Sequence, residues 1–225
     1  MPRPLSRMPP WSYFEGLTKG LSARHLVTRP PGVRVAESMA ADLPLDEALH
    51  RIIARLGDLE VMDGTRRLGV VGLPELHGKV VRTYLRSGLE GLELLLSEIV
   101  RLSGRPPDDW MPFLLPERWA QLENALRMAG RLAPDPVDWL TLPDLLRVLH
   151  GIQRTTGSTH PFFEEGLGPV RAALLKLHPL VTEPDRALRT PHEDWETLLL
   201  CIPRLKLLGA YALKYVSELE HKRAA

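Results

Sequence analysis

The chain has 225 residues carrying 29 basic and 28 acidic side chains, long enough to bury a sizeable core and too evenly charged to seek polyanions or polycations over its whole surface. Cys201 is the single cysteine, which excludes an intramolecular disulfide and a cysteine-based zinc site. No apolar run approaches the ~18 residues of a membrane-spanning helix, and the N-terminal stretch lacks the apolar core of a signal peptide, so a reducing, cytoplasmic setting is expected.

Leucine dominates the hydrophobic residues, aromatics make up only 6%, and β-branched runs are scarce. Helices are therefore favoured over sheets, because straight side chains lose less rotamer freedom in a helix. Residues 1–42 read as a basic, partly extended arm: Pro2, Pro4, Pro9 and Pro10 keep its start extended, and Pro30-Pro31-Gly32 marks a turn. Residues 1–36 hold Arg3, Arg7, Lys19, Arg24, Arg29 and Arg34 against Glu15 alone, whereas the remainder has 23 basic and 27 acidic residues. Such a layout suits an acidic partner, a membrane surface or a solvated tail. Trp11, Phe14, Leu17, Leu21 and Leu26 share one face of a short helix, which can dock on a partner or fold back on the chain's own bundle. The candidate partner-binding set is Trp11, Phe14, Leu17, Lys19, Leu21, Arg24 and Arg29. The stretch Gly16-Leu17-Thr18-Lys19-Gly20-Leu21, with Arg24-His25-Leu26 and Pro30-Pro31, resembles the N-terminal arm of the two-cluster ferredoxin-like subunit of respiratory complex I. The resemblance implies an arm embracing a larger, membrane-adjacent complex. Every cluster cysteine of that family is missing, so no iron–sulfur function carries over.

From residue 43 onward a single helical bundle is expected, able to fold without residues 1–36. A helix over 44–58 carries Leu45, Leu49, Ile52, Leu56 and Leu59 on one stripe. Asp63-Gly64 is a turn. Leu68-Gly69-Val70-Val71-Gly72-Leu73 has the character of a short strand with no second alternating run to pair with, and its glycines are not followed by the Gly-Lys-Ser/Thr of a phosphate loop. A long helix from Pro74 to Ser103 repeats Val81, Leu85, Gly88, Leu92, Leu95, Ile99 and Leu102, with Gly88 and Gly91 allowing a close helix crossing, and Gly104 stops it. Trp110 and Phe113 pin a linker over 105–116. A helix over 117–132 turns Trp119, Leu122, Leu126 and Ala129 inward. Thr141 caps a helix whose face is Leu145, Leu149 and Ile152. A loop from Thr155 to Gly168 and a short helix to about Leu177 follow.

The stretch from Thr190 to about Lys222 reads as the central helix. Trp195, Leu198, Ile202, Leu205, Gly209, Ala212, Val216 and Leu219 form a seam, and Leu199, Leu200, Leu208, Tyr211 and Tyr215 add apolar surface elsewhere on it. A kink is expected at Pro203. Cys201 on this helix reads as a small core hydrophobe.

The candidate catalytic stretch is His160-Pro161-Phe162-Phe163-Glu164-Glu165-Gly166-Leu167-Gly168, followed by Arg171. A histidine of near-neutral pKa beside a helix N-terminus suits a general base next to an anion. The stretch resembles the Fic motif. That resemblance implies a nucleotidyl transferase in which His160 takes a proton from a target hydroxyl, Glu164 holds a metal, and Arg171 and the glycine-bounded loop hold nucleotide phosphates. One extra residue between His160 and Gly166, Leu167 in place of the family's Asn, and Pro169 in place of a basic residue depart from that pattern. No two histidines stand at helical ligand spacing, so no metal and no cofactor are expected. Nucleic acid is not an expected partner either, since Arg66-Arg67 and the arm fall short of a basic helix interleaved with aromatics.

The fold expected is all-α, a bundle of six or seven helices with an extended N-terminal arm. The leading function is a non-catalytic accessory or scaffold subunit that binds a larger protein assembly through its arm and a helical face. The alternative is a degenerate Fic-like transferase using His160, Glu164 and Arg171.

Overall fold

A computed structural model describes residues 20–32, 35–55, 57–130, 135–182 and 202–224. The chain forms two compact units, one of Phe14–Gly88 with Pro179–Pro203, the other of Met1–Tyr13, Leu89–His178 and Arg204–Ala225.

The first unit is built on a sheet. Strand β1 (Ser38–Ala40) is joined to β2 (Leu59–Asp63) through helix α1 (Leu45–Arg55), and the two strands run parallel with Met39 opposite Val61. Strand β3 (Arg66–Val71) returns antiparallel through Gly64-Thr65, with Gly64 at φ 58°, where a residue without Cβ is favoured. Val61 faces Gly69 but Met62 faces Arg67, so β3 carries one extra residue and bulges there. The all-α expectation is corrected: the fold is mainly helical but includes this three-stranded mixed sheet. The helix read over 44–58 ends at Arg55, and Leu59, placed on its stripe, opens β2 instead. Glycines explain part of the change. A Cβ on Gly69 would lie 2.3 Å from the Arg29 carbonyl oxygen, and one on Gly72 would lie 2.3 Å from Asp58 Oδ1. These glycines admit close neighbours into the sheet, as strand glycines commonly do.

Residues 20–32 belong to this unit. The Ala23 amide donates to Leu43 O at 2.9 Å, Arg24 to Ala41 O at 3.0 Å, and Val70 to Arg29 O at 3.2 Å. Ala23 and Leu26 are buried. These contacts oppose the expectation that the chain folds without residues 1–36, since that deletion would strip backbone partners and two core side chains.

The second unit is helical. Helix α2 (Lys79–Leu102) crosses the division at Gly88 and starts later than expected, because Leu73–His77 is a separate 3-10 turn. Its seam is as expected at Val81, Leu85, Leu92, Leu95 and Ile99, all buried. The close crossing at Gly91 is absent among the described residues, where a Cβ would meet nothing within 4 Å. Gly104 at φ 68° ends the helix. Short helix α3 (Pro107–Trp110) and the turn Met111–Phe113 bury Trp110. Helix α4 (Pro116–Ala129) buries only Leu122; Trp119, expected to face inward, is 40% exposed although it lies one turn from Leu122 on the same side of the helix.

Helix α5 (Leu142–Thr156) starts as the sequence suggests, with Thr141 and Asp144 in a capping box. Asp144 is buried and also takes Arg118 Nη2 of α4 at 2.8 Å and Thr141 Oγ1 at 2.8 Å. The expected loop to Gly168 is corrected to a π-helical turn, Phe162–Leu167, running directly into α6 (Gly168–Thr182).

Helix α7 (Ile202–Ala224) carries the C-terminal part of the expected central helix; residues 190–201, with Trp195, Leu198 and Cys201, lie outside the described residues. Pro203 is the second described residue of this helix, and the kink expected there turns on the Leu199 carbonyl, which lies outside the described residues. Leu208, Gly209, Ala212 and Val216 are buried, but Leu205 is only half-buried and Leu207 is 51% exposed. The reading of a helix enclosed on several sides is corrected to one buried along a single stripe, with Lys206 and Lys214 off it.

Candidate functional site

The arm residues fall into two groups. Trp11, Phe14, Leu17 and Lys19 lie outside the described residues. Leu21, Arg24 and Arg29 are placed in the sheet unit. Leu21 O accepts the Leu45 amide at 3.3 Å, and Arg24 Nη2 pairs with Asp63 at 2.8 Å. Arg29 is a hub: its two Nη atoms meet Asp58 at 2.7 and 3.0 Å, while Nε and Nη2 reach Glu75 at 3.1 Å. Glu75, buried, also accepts from Thr28 Oγ1 at 2.8 Å and from the Gly72 amide at 2.6 Å. Hydrogen bonding to Arg29 holds the Asp58 carboxyl below its usual range. Four of the five N–H donors of this guanidinium are thus engaged with two carboxylates.

His160 sits at the start of the π-helical turn. Its Nδ1 accepts the Phe162 amide at 3.1 Å, and its Nε2 meets Glu218 Oε2 of α7 at 2.9 Å. An amide can only donate, so Nδ1 bears the lone pair and Nε2 carries the proton donated to Glu218. The ring lies 4.2 Å from that of Tyr215, which stacks on Phe162 at 5.3 Å. Burial, with the Glu218 charge second, raises the Tyr215 phenol. Both imidazole nitrogens are thus engaged, and a general base needs a free lone pair. The glycine is committed too: a Cβ on Gly166 would sit 3.3 Å from Leu208 and Tyr211 side-chain atoms. Glu165 takes a hydrogen bond from Tyr211, and Glu164 is exposed. The HPFFEEGLG stretch works here as the contact joining the start of α6 to α7. No hydrogen bond brings Arg171 to it among the described residues.

Arg171 instead lines a cleft between α5 and α6. The cleft measures about 620 Å³ and is lined by Phe113, Leu146, Arg147, His150, Gly151, Arg154, Thr155, Arg171 and Leu175. Arg147, His150 and Arg154 stand three and four residues apart, which puts them on one side of α5. Gly151 lets the Phe113 ring close against the helix: a Cβ there would lie 2.2 Å from it. Arg147 donates only to Pro143 O at 3.2 Å, and neither Arg154 nor Arg171 makes an ion pair or hydrogen bond with a described residue. Burial first, then the Arg171 and Arg154 charges, lower the His150 pKa, against a raising hydrogen bond from Gln153. Sequence reasoning named Arg171 alone. The available signal was a basic stripe on α5 facing an α6 segment with no acidic residue.

A second groove, about 420 Å³, lies along α4 and is lined by Pro107, Asp108, Met111, Pro112, Trp119, Glu123 and Leu126. Leu115, 43% exposed, stands one helical turn before Trp119. Among the described residues no group of three or more His, Cys, Asp or Glu side chains is disposed to hold a metal ion, and no helix is long and apolar enough to cross a membrane. Comparison with protein-family models, with curated proteins and with solved structures finds no match.

Proposed function

We propose that the chain is a non-catalytic accessory subunit that joins a larger protein assembly, using the apolar groove of α4 as its docking face. The observation that carries this reading is the groove in which exposed Trp119 meets Pro107, Met111, Pro112 and Leu126, with exposed Leu115 one turn before Trp119. Apolar surface gathered in this way favours protein contact, and tryptophan is a common anchor of such contacts. Asp108 and Glu123 rim the groove, so the complementary partner is an apolar segment flanked by basic residues. The basic N-terminal arm supplies a second attachment in this reading, through Trp11, Phe14, Leu17 and Lys19.

The test is purification of the tagged full chain and its Trp119→Glu variant from native material. Wild type should retain a stoichiometric partner that the variant loses while its melting temperature is preserved, since Trp119 is already 40% exposed. Equal retention by the variant, or a wild type that elutes alone, would sink this reading.

A further inference from the structure

We infer that the cleft between α5 and α6 binds a small phosphate monoester, with Arg147, Arg154 and Arg171 on the phosphate and Phe113, Leu146 and Leu175 against a compact apolar substituent. The charge balance comes first. Within α5 the only acidic residue is Asp144, already held by Arg118 and Thr141, and α6 has none. Three guanidiniums and an imidazole therefore meet at one concavity with no carboxylate on its lining. Like charges on one side of a helix repel. A fold that only needed solvated arginines would not have to set them around a hollow with an apolar floor.

The shape of the set decides the ligand class. Guanidiniums match phosphate oxygens bidentately, and a terminal phosphate offers three oxygens and close to two negative charges for three such forks. A carboxylate offers two oxygens and one charge, leaving most of the donors unmet. Arg147 to Arg154 spans only ~10 Å along the helix, which fits one phosphate and its substituent rather than the backbone of a nucleic acid. The volume of about 620 Å³ lies in the usual range for small-molecule sites, where an apolar lining carries a few convergent polar groups. Burial first, and after it the Arg171 and Arg154 charges, depress the His150 imidazole. This site shares no residue with the α4 groove, so its failure leaves the docking proposal standing, and the reverse holds too.

The experiment is calorimetric titration of the full chain, at constant ionic strength, with phenyl phosphate, inorganic phosphate and phenylacetate. Phenyl phosphate should saturate below about 1 mM, with inorganic phosphate and phenylacetate each on the order of tenfold weaker. Arg154→Gln and Arg171→Gln should each weaken phenyl phosphate about tenfold, with thermal melting reporting that both remain folded. Lys214→Gln, on exposed α7 surface, should change nothing. Absence of saturation, or equal binding by either arginine variant, overturns the site. Equal binding of phenylacetate overturns the phosphate assignment, and equal binding of inorganic phosphate overturns the role of the apolar floor.

Discussion

Arg29 of the sheet unit and the cleft arginines of the helical unit meet opposite surroundings. In the sheet unit, Arg29 meets Asp58 and Glu75 through four hydrogen bonds, and Glu75 in turn holds Thr28 and the Gly72 amide. In the helical unit, Arg154 and Arg171 line a hollow with no carboxylate beside them. The sheet arginine is tied into the structure; Arg154 and Arg171 have no ion-pair partner among the described residues. Position in the sequence conceals this, because Arg29 belongs to the basic arm that invites a partner, while Arg147 and Arg154 sit on an ordinary amphipathic helix. What separates them is the supply of nearby acids.

Removing Arg29 is the strongest way to test the first half of that contrast. Arg29→Met leaves the buried Glu75 carboxylate without its counter-charge, and breaking such a pair costs about 3 kcal/mol or more. Deletion of residues 1–36 should do at least as much harm, since it also removes Ala23 and Leu26 from the core. Denaturant melts would register both. A variant within about 0.5 kcal/mol of wild type would mean that Arg29 is as dispensable as a surface charge.

Helical-unit stability should rest instead on apolar burial. Leu208, fully buried on α7, should cost about 2–5 kcal/mol when truncated to alanine. Half-buried Leu205 should cost no more than about 1 kcal/mol by the same change, since the loss scales with apolar area removed from water. A reversed order would return Leu205 to the seam that its spacing suggests. At the floor of the cleft, Gly151→Ala should lose stability even though alanine is the better helix former by about 1 kcal/mol. The new Cβ would fall 2.2 Å from the Phe113 ring, and overpacking of that kind costs about 1–3 kcal/mol. A stabilised Gly151→Ala would show that the ring moves freely and that the cleft has no fixed floor.

These residues also show what the sequence could reveal. Helix positions followed from local rules wherever one stripe faced one core, as with the seam of α2 and the Thr141 cap of α5. The sheet was hidden because β2 buries Leu59, Glu60 and Val61 in succession, so no alternation marks it, and its buried Glu60 pairs with Arg67 on the next strand. Leu205 was misplaced because periodicity finds an apolar stripe without saying which neighbours cover it. His160 looked catalytic since histidine, acid and glycine cluster there, but the acid facing it is Glu218, 58 residues later, a separation no local motif can encode. The cleft needed the facing of α5 and α6, which spacing on α5 alone does not supply.

The smallest effect is the most discriminating. Arg154→Gln and Arg171→Gln should leave stability within about 0.5 kcal/mol of wild type, shifted if anything upward, because each removes a repelling charge and no partner. Raising the salt should shrink that gain, as screening already weakens the repulsion. His150 gives the same contrast a pH axis. It is faced by Arg147 and Arg154 on its own helix and by Arg171 on α6, and its folded pKa lies below the usual imidazole value of about 6.5. The unfolded chain therefore binds the proton more readily, so this group's contribution to stability is present above that value and is lost as pH falls through it. Arg154→Gln removes one of the charges that lower the pKa, so its stability should fall less steeply over the same acid range. Melts of both proteins on either side of the imidazole range would read this directly. A steeper acid loss in Arg154→Gln, or destabilisation comparable to Arg29→Met, would mean that the cleft arginines are held by the fold as firmly as the sheet arginine.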